Sequence, residues 1–140
     1  MYPVNKGIKQ ELFEEIVNKS FNSPYHKLLK LELVELGKGM AVVEITVDES
    51  ILNALGIAHG GATASLCDTA MGVAVRTVGA LPTTVEMKVN YLAPGPIKER
   101  LRAVGKVIKE GKTIIVAEGE VYCKDRLIVK SLGTYFDLKK

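Results

Sequence analysis

The stretch of sequence that decides the fold lies near the middle of the chain. It reads Asn53-Ala-Leu-Gly-Ile-Ala-His59-Gly60-Gly61-Ala-Thr-Ala-Ser-Leu-Cys-Asp68-Thr-Ala. From His59 to about Val78 the pattern predicts a long helix whose apolar side chains cover nearly all of its sides. A helix of that kind is buried, and small side chains let neighbouring backbone come close to it. The sequence therefore predicts one central helix enclosed by the rest of the chain.

Asp68 is the only charged side chain between Gly60 and Val75. Burying a carboxylate is unfavourable unless the group is paired, hydrogen-bonded or protonated. Titratable groups in such surroundings are candidates for functional sites. We therefore interpret Asp68 as a functional residue, with capping by Ser65, Thr69 or backbone groups as the structural alternative.

Gly60 and Gly61 open the predicted helix, where the first amide N–H groups have no acceptor within the helix. Without side chains to shield them, these donors and the positive end of the helix dipole can bind an anion or a developing oxyanion. Asp68 lies eight residues further on, about 12 Å along the helix axis. It cannot serve a carbonyl held at its own helix start, so joint action on one carbonyl requires a second, two-fold related subunit.

The flanking segments predict an antiparallel sheet around this helix. A short amphipathic helix around Ile8–Val17 ends before Asn22-Ser23-Pro24, because proline disfavours helical geometry in the residue before it. In Thr83–Leu92 the alternation places Val85, Met87, Val89 and Tyr91 on one face, and Thr84, Glu86, Lys88 and Asn90 on the other. The other predicted strands are Leu31–Leu36, Met40–Val47, Arg100–Lys109, Thr113–Cys123 and roughly Arg126–Phe136. Strands with one segregated helix indicate the α+β class, and we expect one domain over residues 1–140 with a helical extension over residues 1–24.

Composition excludes several classes of protein. The chain has 140 residues and a formal net charge of +3, with no run of basic residues that would predict a nucleic-acid surface. Two cysteines and two histidines are too few for a disulfide framework and leave little material for a metal site. The N-terminus is polar, and the uncharged stretches fall short of a membrane span. We therefore expect a soluble cytoplasmic protein that binds neither nucleic acid nor membrane.

The order of the motifs resembles a known family. Asn53, His59-Gly60-Gly61 and Asp68 are followed by Thr84-Val-Glu-Met-Lys-Val-Asn-Tyr91 and then by Pro94. From about Leu31 to the C-terminus, the chain is similar to the hotdog-fold acyl-CoA thioesterases, in particular the phenylacetate-pathway and 4-hydroxybenzoyl-CoA thioesterase group. The resemblance implies a hotdog fold and hydrolysis of an acyl- or aryl-acyl-CoA to free acid and coenzyme A, without a metal or other cofactor. It also implies at least a homodimer, and a homotetramer built as a dimer of dimers.

The same resemblance implies four catalytic roles. Gly60 donates its backbone N–H to the thioester carbonyl, and Asp68 from the other subunit acts as nucleophile or as general base for water. Asn53 helps to position the water or the thioester. Thr84 supplies the hydroxyl that assists the attacking water, a role that relatives give to serine.

Further residues are assigned to substrate binding. His59 and Gly61 belong to the loop and helix start, where we expect His59 to orient the backbone rather than to act as a base. Lys88, Lys109 and Lys112 are candidates to hold the coenzyme A phosphates. Cys67 is expected to be an inert core residue, since no cationic neighbour in sequence would lower its pKa.

Two other functions are compatible with the pattern. One is an acyl-thioester hydratase of the hotdog fold, although such relatives pair a histidine with an acid in a different local context. The other is a module that binds acyl-CoA without cleaving it. The desolvation cost of Asp68 argues against a module that only binds.

Overall fold

A mostly antiparallel sheet wraps around one long helix. The computed structural model describes residues 2–139. In chain order the elements are β1 (Val4–Asn5), α1 (Gln10–Glu15), α2 (Pro24–Leu29), β2 (Glu32–Gly37), β3 (Met40–Thr46), α3 (Gly60–Arg76), β4 (Pro82–Tyr91), β5 (Arg100–Glu110), β6 (Ile114–Cys123) and β7 (Arg126–Asp137). The strand order across the sheet is β1-β2-β3-β5-β6-β7-β4, and only β1 pairs in parallel within the described residues. The predicted α+β class and the central helix are confirmed.

The N-terminal region holds more structure than the sequence predicted. The chain leaves α1 through a π-helical turn over Ile16–Ser20, and then forms α2. Pro24 was expected only to end helix, but it occupies the first turn of α2, where its missing N–H costs nothing. Ser23 caps this helix by accepting a hydrogen bond from the His26 N–H at 3.3 Å.

Two glycines let the sheet approach α3 closely. A Cβ atom on Gly105 of β5 would lie 2.2 Å from the carbonyl oxygen of Ala70, and one on Gly119 of β6 would lie 2.5 Å from Sγ of Cys67. These two strands therefore press directly on the backbone and small side chains of the helix.

One face of α3 is less buried than predicted. Ser65, Asp68, Thr69 and Gly72 are only partly buried, and they follow the i, i+3, i+4, i+7 spacing of a single helical face. The sheet does not cover this face, and α2 covers it only in part, since the Tyr25 hydroxyl lies 2.7 Å from Oγ of Ser65. The expectation of a helix buried on all sides is therefore wrong for this face.

A β-bulge changes the predicted alternation of β4. The register against β7 shifts between Thr84 and Glu86, so that Val85 has no partner of its own and is 59% exposed. As a result Thr84, rather than Val85, shares the inner face of the sheet with Met87 and Val89. Bulges commonly re-aim a side chain beside a functional site.

No helix within residues 2–139 is long and apolar enough to cross a membrane.

Candidate active site

The carboxylate of Asp68 is held by two hydroxyl groups. Tyr135 on β7 donates a hydrogen bond to Oδ1 of Asp68 at 2.7 Å, and Thr84 on β4 donates one to the same oxygen at 3.0 Å. No partner for Oδ2 is found in the described part of the chain. Of the predicted structural partners, the Ser65 hydroxyl donates to the Gly61 carbonyl oxygen at 2.8 Å instead, and within residues 2–139 no hydrogen bond joins Thr69 to this carboxylate. The carboxylate is thus oriented through Oδ1, while Oδ2 accepts no hydrogen bond from the described residues.

Tyr135 is a site residue that the sequence analysis missed. Its side chain is 1% exposed, and burial, followed by the nearby Asp68 charge, raises the pKa of the phenol well above its usual range. The hydroxyl therefore stays protonated and acts as a fixed donor. Tyr135 is the partner of Thr84 across β4 and β7, so the strand register could have placed its hydroxyl beside Asp68. That register depends on the bulge in β4, which the sequence did not predict.

Asp68 and Thr84 line a cavity of about 460 Å³, which is also lined by residues of the N-terminal helical region. Its walls combine polar and apolar side chains from α2, α3, β4, β7 and the turns beside them: Ser20, His26, Asp68, Thr69, Gly72, Val73, Arg76, Leu81, Pro82, Thr84, Tyr135 and Leu138. We call this space the acid cavity.

The start of α3 presents one free amide. The N–H of Gly61 donates to Nδ1 of His59 at 2.8 Å, and the N–H groups of Ala62 and Thr63 donate to the His59 carbonyl oxygen. No acceptor for the Gly60 N–H is found within residues 2–139. Nδ1 of His59 thus holds the backbone at the helix start, and the His59 side chain is exposed. Gly60 remains as the donor available to a ligand.

Gly60 and Asn53 line a second cavity, of about 480 Å³. Oδ1 of Asn53 accepts hydrogen bonds from the N–H groups of Leu55 and Ile57, at 2.9 and 3.3 Å, and so shapes the turn before the helix. Tyr91 lies beside this turn and donates to the Gly60 carbonyl oxygen at 3.2 Å. We call this space the amide cavity.

The structure therefore divides the predicted catalytic residues into two pairs. Asp68 and Thr84 line the acid cavity, whereas Gly60 and Asn53 line the amide cavity. Eight residues of α3 separate Gly60 from Asp68, which corresponds to about 12 Å along the axis. Within one chain the two pairs do not meet.

The predicted phosphate-binding lysines do not form one cluster in a single chain. Lys88 lies on β4, where its Nζ donates to Oδ1 of Asn90 at 2.8 Å. Lys109 lies near the end of β5, and Lys112 lies in the turn that follows. Strands β6 and β7 separate Lys88 from Lys109, a distance of about 14 Å at the usual strand spacing.

Cys67 lies in the core, where burial raises the pKa of its thiol to about 12. The thiol is therefore protonated at neutral pH, as expected for an inert residue. Among the described residues, no group of three or more histidine, cysteine, aspartate or glutamate side chains could hold a metal ion.

Comparison with known families decides the class of this protein. The model of the Thioesterase superfamily matches residues 55–130, more than half of the chain. The chain belongs to this superfamily. The resemblance inferred from the motifs is confirmed, and the protein is a thioester hydrolase with the hotdog fold.

Named relatives agree with this assignment. Acyl-coenzyme A thioesterase 13 of Mus musculus is 32% identical over 107 residues, which are 74% of this chain and 76% of the mouse protein. Acyl-coenzyme A thioesterase PaaI of Escherichia coli is 31% identical over 100 residues, which are 71% of each chain. The solved structure of PaaI, from the phenylacetic acid degradation operon, matches with a TM-score of 0.88 at 24% identity over 94% of this chain and 96% of its own. At that identity the likeness shows the fold.

A third protein was solved with coenzyme A. It is a thioesterase protein of Streptococcus pneumoniae, which matches with a TM-score of 0.74 at 30% identity, over 77% of this chain and 88% of its own. Proteins similar to this chain thus include two acyl-coenzyme A thioesterases and a thioesterase protein that was solved with coenzyme A.

Proposed function

We propose that the thioesterase hydrolyses an acyl- or aryl-acyl-CoA at a site shared by two subunits. Gly60 and Asn53 of one subunit face Asp68 of the partner subunit and Thr84 of the partner subunit. The observation that carries this proposal is the division of these residues between two cavities of one chain. A two-fold axis that brings the amide cavity of one copy against the acid cavity of another completes two equivalent sites.

The edge of the sheet supports pairing with a second copy. Strand β4 is ten residues long and has a neighbouring strand on one side only within the described residues. Large apolar side chains on or beside it are exposed: Leu81, Val85, Tyr91 and Leu92. A long apolar edge strand is prone to pair with another chain unless it is protected. We propose that β4 pairs with β4 of the second copy in a homodimer, and that two dimers form a homotetramer.

The proposed chemistry uses only groups of the chain and water. The Gly60 N–H donates to the thioester carbonyl oxygen and stabilises the negative charge that develops there. With Asp68 as general base, Oδ2 takes a proton while the water oxygen bonds to the carbonyl carbon. The C–S bond then breaks, the thiolate of coenzyme A takes up that proton, and the free acid leaves. With Asp68 as nucleophile, Oδ2 bonds to the carbonyl carbon, the C–S bond breaks and coenzyme A leaves as the thiolate. Water then cleaves the resulting anhydride, which gives the free acid, restores the Asp68 carboxylate and releases the proton that the thiolate takes up.

The remaining assignments follow from this placement. Tyr135 and Thr84 hold Oδ1 and so direct Oδ2 of the same carboxylate toward the neighbouring subunit. Asn53 positions the water or the thioester. Lys88, Lys109 and Lys112, although apart in one chain, are proposed to hold the coenzyme A phosphates where the two subunits meet.

Release of free thiol from a panel of acyl-CoAs tests this function. Asp68→Asn keeps the size of the side chain but removes the base, and we expect kcat to fall by about 10²–10⁴-fold. Circular dichroism and the melting temperature of the variant show whether it is folded. A folded Asp68→Asn enzyme with native kcat on every active acyl-CoA would contradict the proposal.

A further inference from the structure

Arg76 is a buried cation whose donors are not all used. It lies in the last turn of α3 and is 5% exposed. Its Nη2 donates to Oε1 of Glu15 at the end of α1, and the Glu15 side chain is 46% exposed. Nε and Nη1 of Arg76 are buried without a hydrogen-bond partner. Buried guanidinium donors without an acceptor are rare and unfavourable, so this pair of nitrogens indicates a missing partner.

The position of Arg76 suggests what that partner is. Arg76 lines the acid cavity together with Asp68, eight residues earlier on the same helix and about 12 Å away along its axis. Between them on α3, Gly72 and Val73 line the same cavity, and Leu81, Pro82 and Leu138 add apolar side chains to its lining. By position along α3, the lining therefore has the Asp68 carboxylate at one end and the Arg76 cation at the other.

We infer that the acid cavity receives the acyl group and that Arg76 binds a carboxylate at the far end of that group. This inference rests on the proposed function, because it takes Asp68 as the reactive end. The preferred substrates would then be CoA thioesters of aliphatic dicarboxylic acids. A carboxylate is the strongest oxygen acceptor for a guanidinium, because the hydrogen bond is charge-assisted. The apolar side chains of the lining contact the methylene groups.

The neighbouring charges do not prevent this arrangement. Glu15 uses only Nη2 of Arg76 and is partly open to solvent, which screens its repulsion of a second carboxylate. Asp68 is the acidic residue on the cavity wall, and it lies at the opposite end. His26 and Ser20 also line the cavity and bring no negative charge.

Paired substrates test the inference. Adipoyl-CoA and hexanoyl-CoA share a six-carbon acyl chain and differ in the terminal carboxylate. We expect kcat/KM of the native enzyme to be at least about tenfold higher for adipoyl-CoA. Arg76→Met keeps an apolar chain of similar reach, and it should abolish this preference by lowering kcat/KM for adipoyl-CoA alone. Arg126→Met, the same substitution at the exposed first residue of β7, should leave the preference unchanged.

Separate outcomes overturn the two proposals. A native enzyme that hydrolyses hexanoyl-CoA without any preference for adipoyl-CoA would overturn the role of Arg76 alone. A preference that persists in folded Arg76→Met would overturn it as well. If Arg76→Met fails to fold, Arg76→Lys serves instead, since it keeps the positive charge but lacks Nε and Nη1. This variant should show a smaller preference for adipoyl-CoA over hexanoyl-CoA. Native activity in folded Asp68→Asn would overturn the proposed site itself.

Discussion

The amide of Gly60 is the smallest part of the proposed site and the one most open to a direct test. Its neighbours at the helix start are all engaged, since Gly61, Ala62 and Thr63 donate to His59. Gly60 alone keeps a free N–H at the positive end of α3. A single donor of this kind contributes about 2.7–4 kcal/mol to a transition state that carries an oxyanion.

Gly60→Pro removes this N–H with little change to the backbone. Proline is favoured in the first turn of a helix, and His59, with φ −62° and ψ 139°, already has the conformation that a residue before proline prefers. We expect kcat to fall by about 10²–10³-fold, measured by thiol release. Gly60→Ala is the matched control. In either variant the new Cβ would lie 3.3 Å from the Tyr91 ring, but the alanine keeps the backbone N–H. Equal losses in the two variants would show that crowding against Tyr91, and not the amide, is responsible.

The candidate site could be predicted where the signal is local in sequence. Gly60 could be predicted because it opens the helix, and Asp68 because it is the only charged side chain from Gly60 to Val75. Tyr135 could not be predicted from a local signal, because it lies 67 positions from Asp68 in the sequence. The orientation of Thr84 depends on a bulge of one residue, and strict alternation places the side chain on the wrong face.

At the scale of elements, strand β5 approaches the backbone of α3 very closely at Gly105. Gly105 lies directly under the backbone of Ala70 and Met71, so neither partner can move away as a flexible side chain could. This contact keeps α3 at a fixed depth in the sheet, and with it the positions of Gly60 and Asp68.

Gly105→Ala should therefore destabilise the fold strongly. The added Cβ would lie 2.2 Å from the Ala70 carbonyl oxygen, and overpacking against backbone is expected to lower the free energy of unfolding by about 3 kcal/mol or more. Gly72→Ala is the control within α3, where the new methyl group meets only Tyr135, at 3.9 Å. This second change should raise the free energy of unfolding by about 0.5–1 kcal/mol. Urea denaturation measures both, and a small effect at Gly105 would contradict the proposed packing.

The elements that were predicted and those that were missed differ in how clearly a hydrophobic pattern repeats along them. Long periodic segments such as α3 and the strands β3 to β7 carry many repeats of their pattern. The two-residue β1 and the six-residue α2 carry almost none. Pro24 shows the difficulty, because a proline after Ser and Asn signals the end of one helix and the start of the next equally well.

At the scale of the whole molecule, the two cavities are the reason that we propose a site shared with a second subunit. The rise of an α-helix already indicated that Gly60 and Asp68 of one chain cannot reach one carbonyl. The structure adds that each residue has its own cavity and its own companions. The depth of the acid cavity and the position of Arg76 depend on how α1 and α2 cover α3, which the sequence did not indicate.

A heterodimer of two inactive variants tests the shared site most directly. Gly60→Pro and Asp68→Asn chains with different tags are co-expressed, and tandem affinity purification isolates dimers that contain one of each. One site of such a dimer combines a native Gly60 with a native Asp68, while the other site lacks both. We predict about half of the native specific activity in thiol release, against near-complete loss in either homodimer. A heterodimer as inactive as its parents would show that the amide and the acid act within one chain, which contradicts the account.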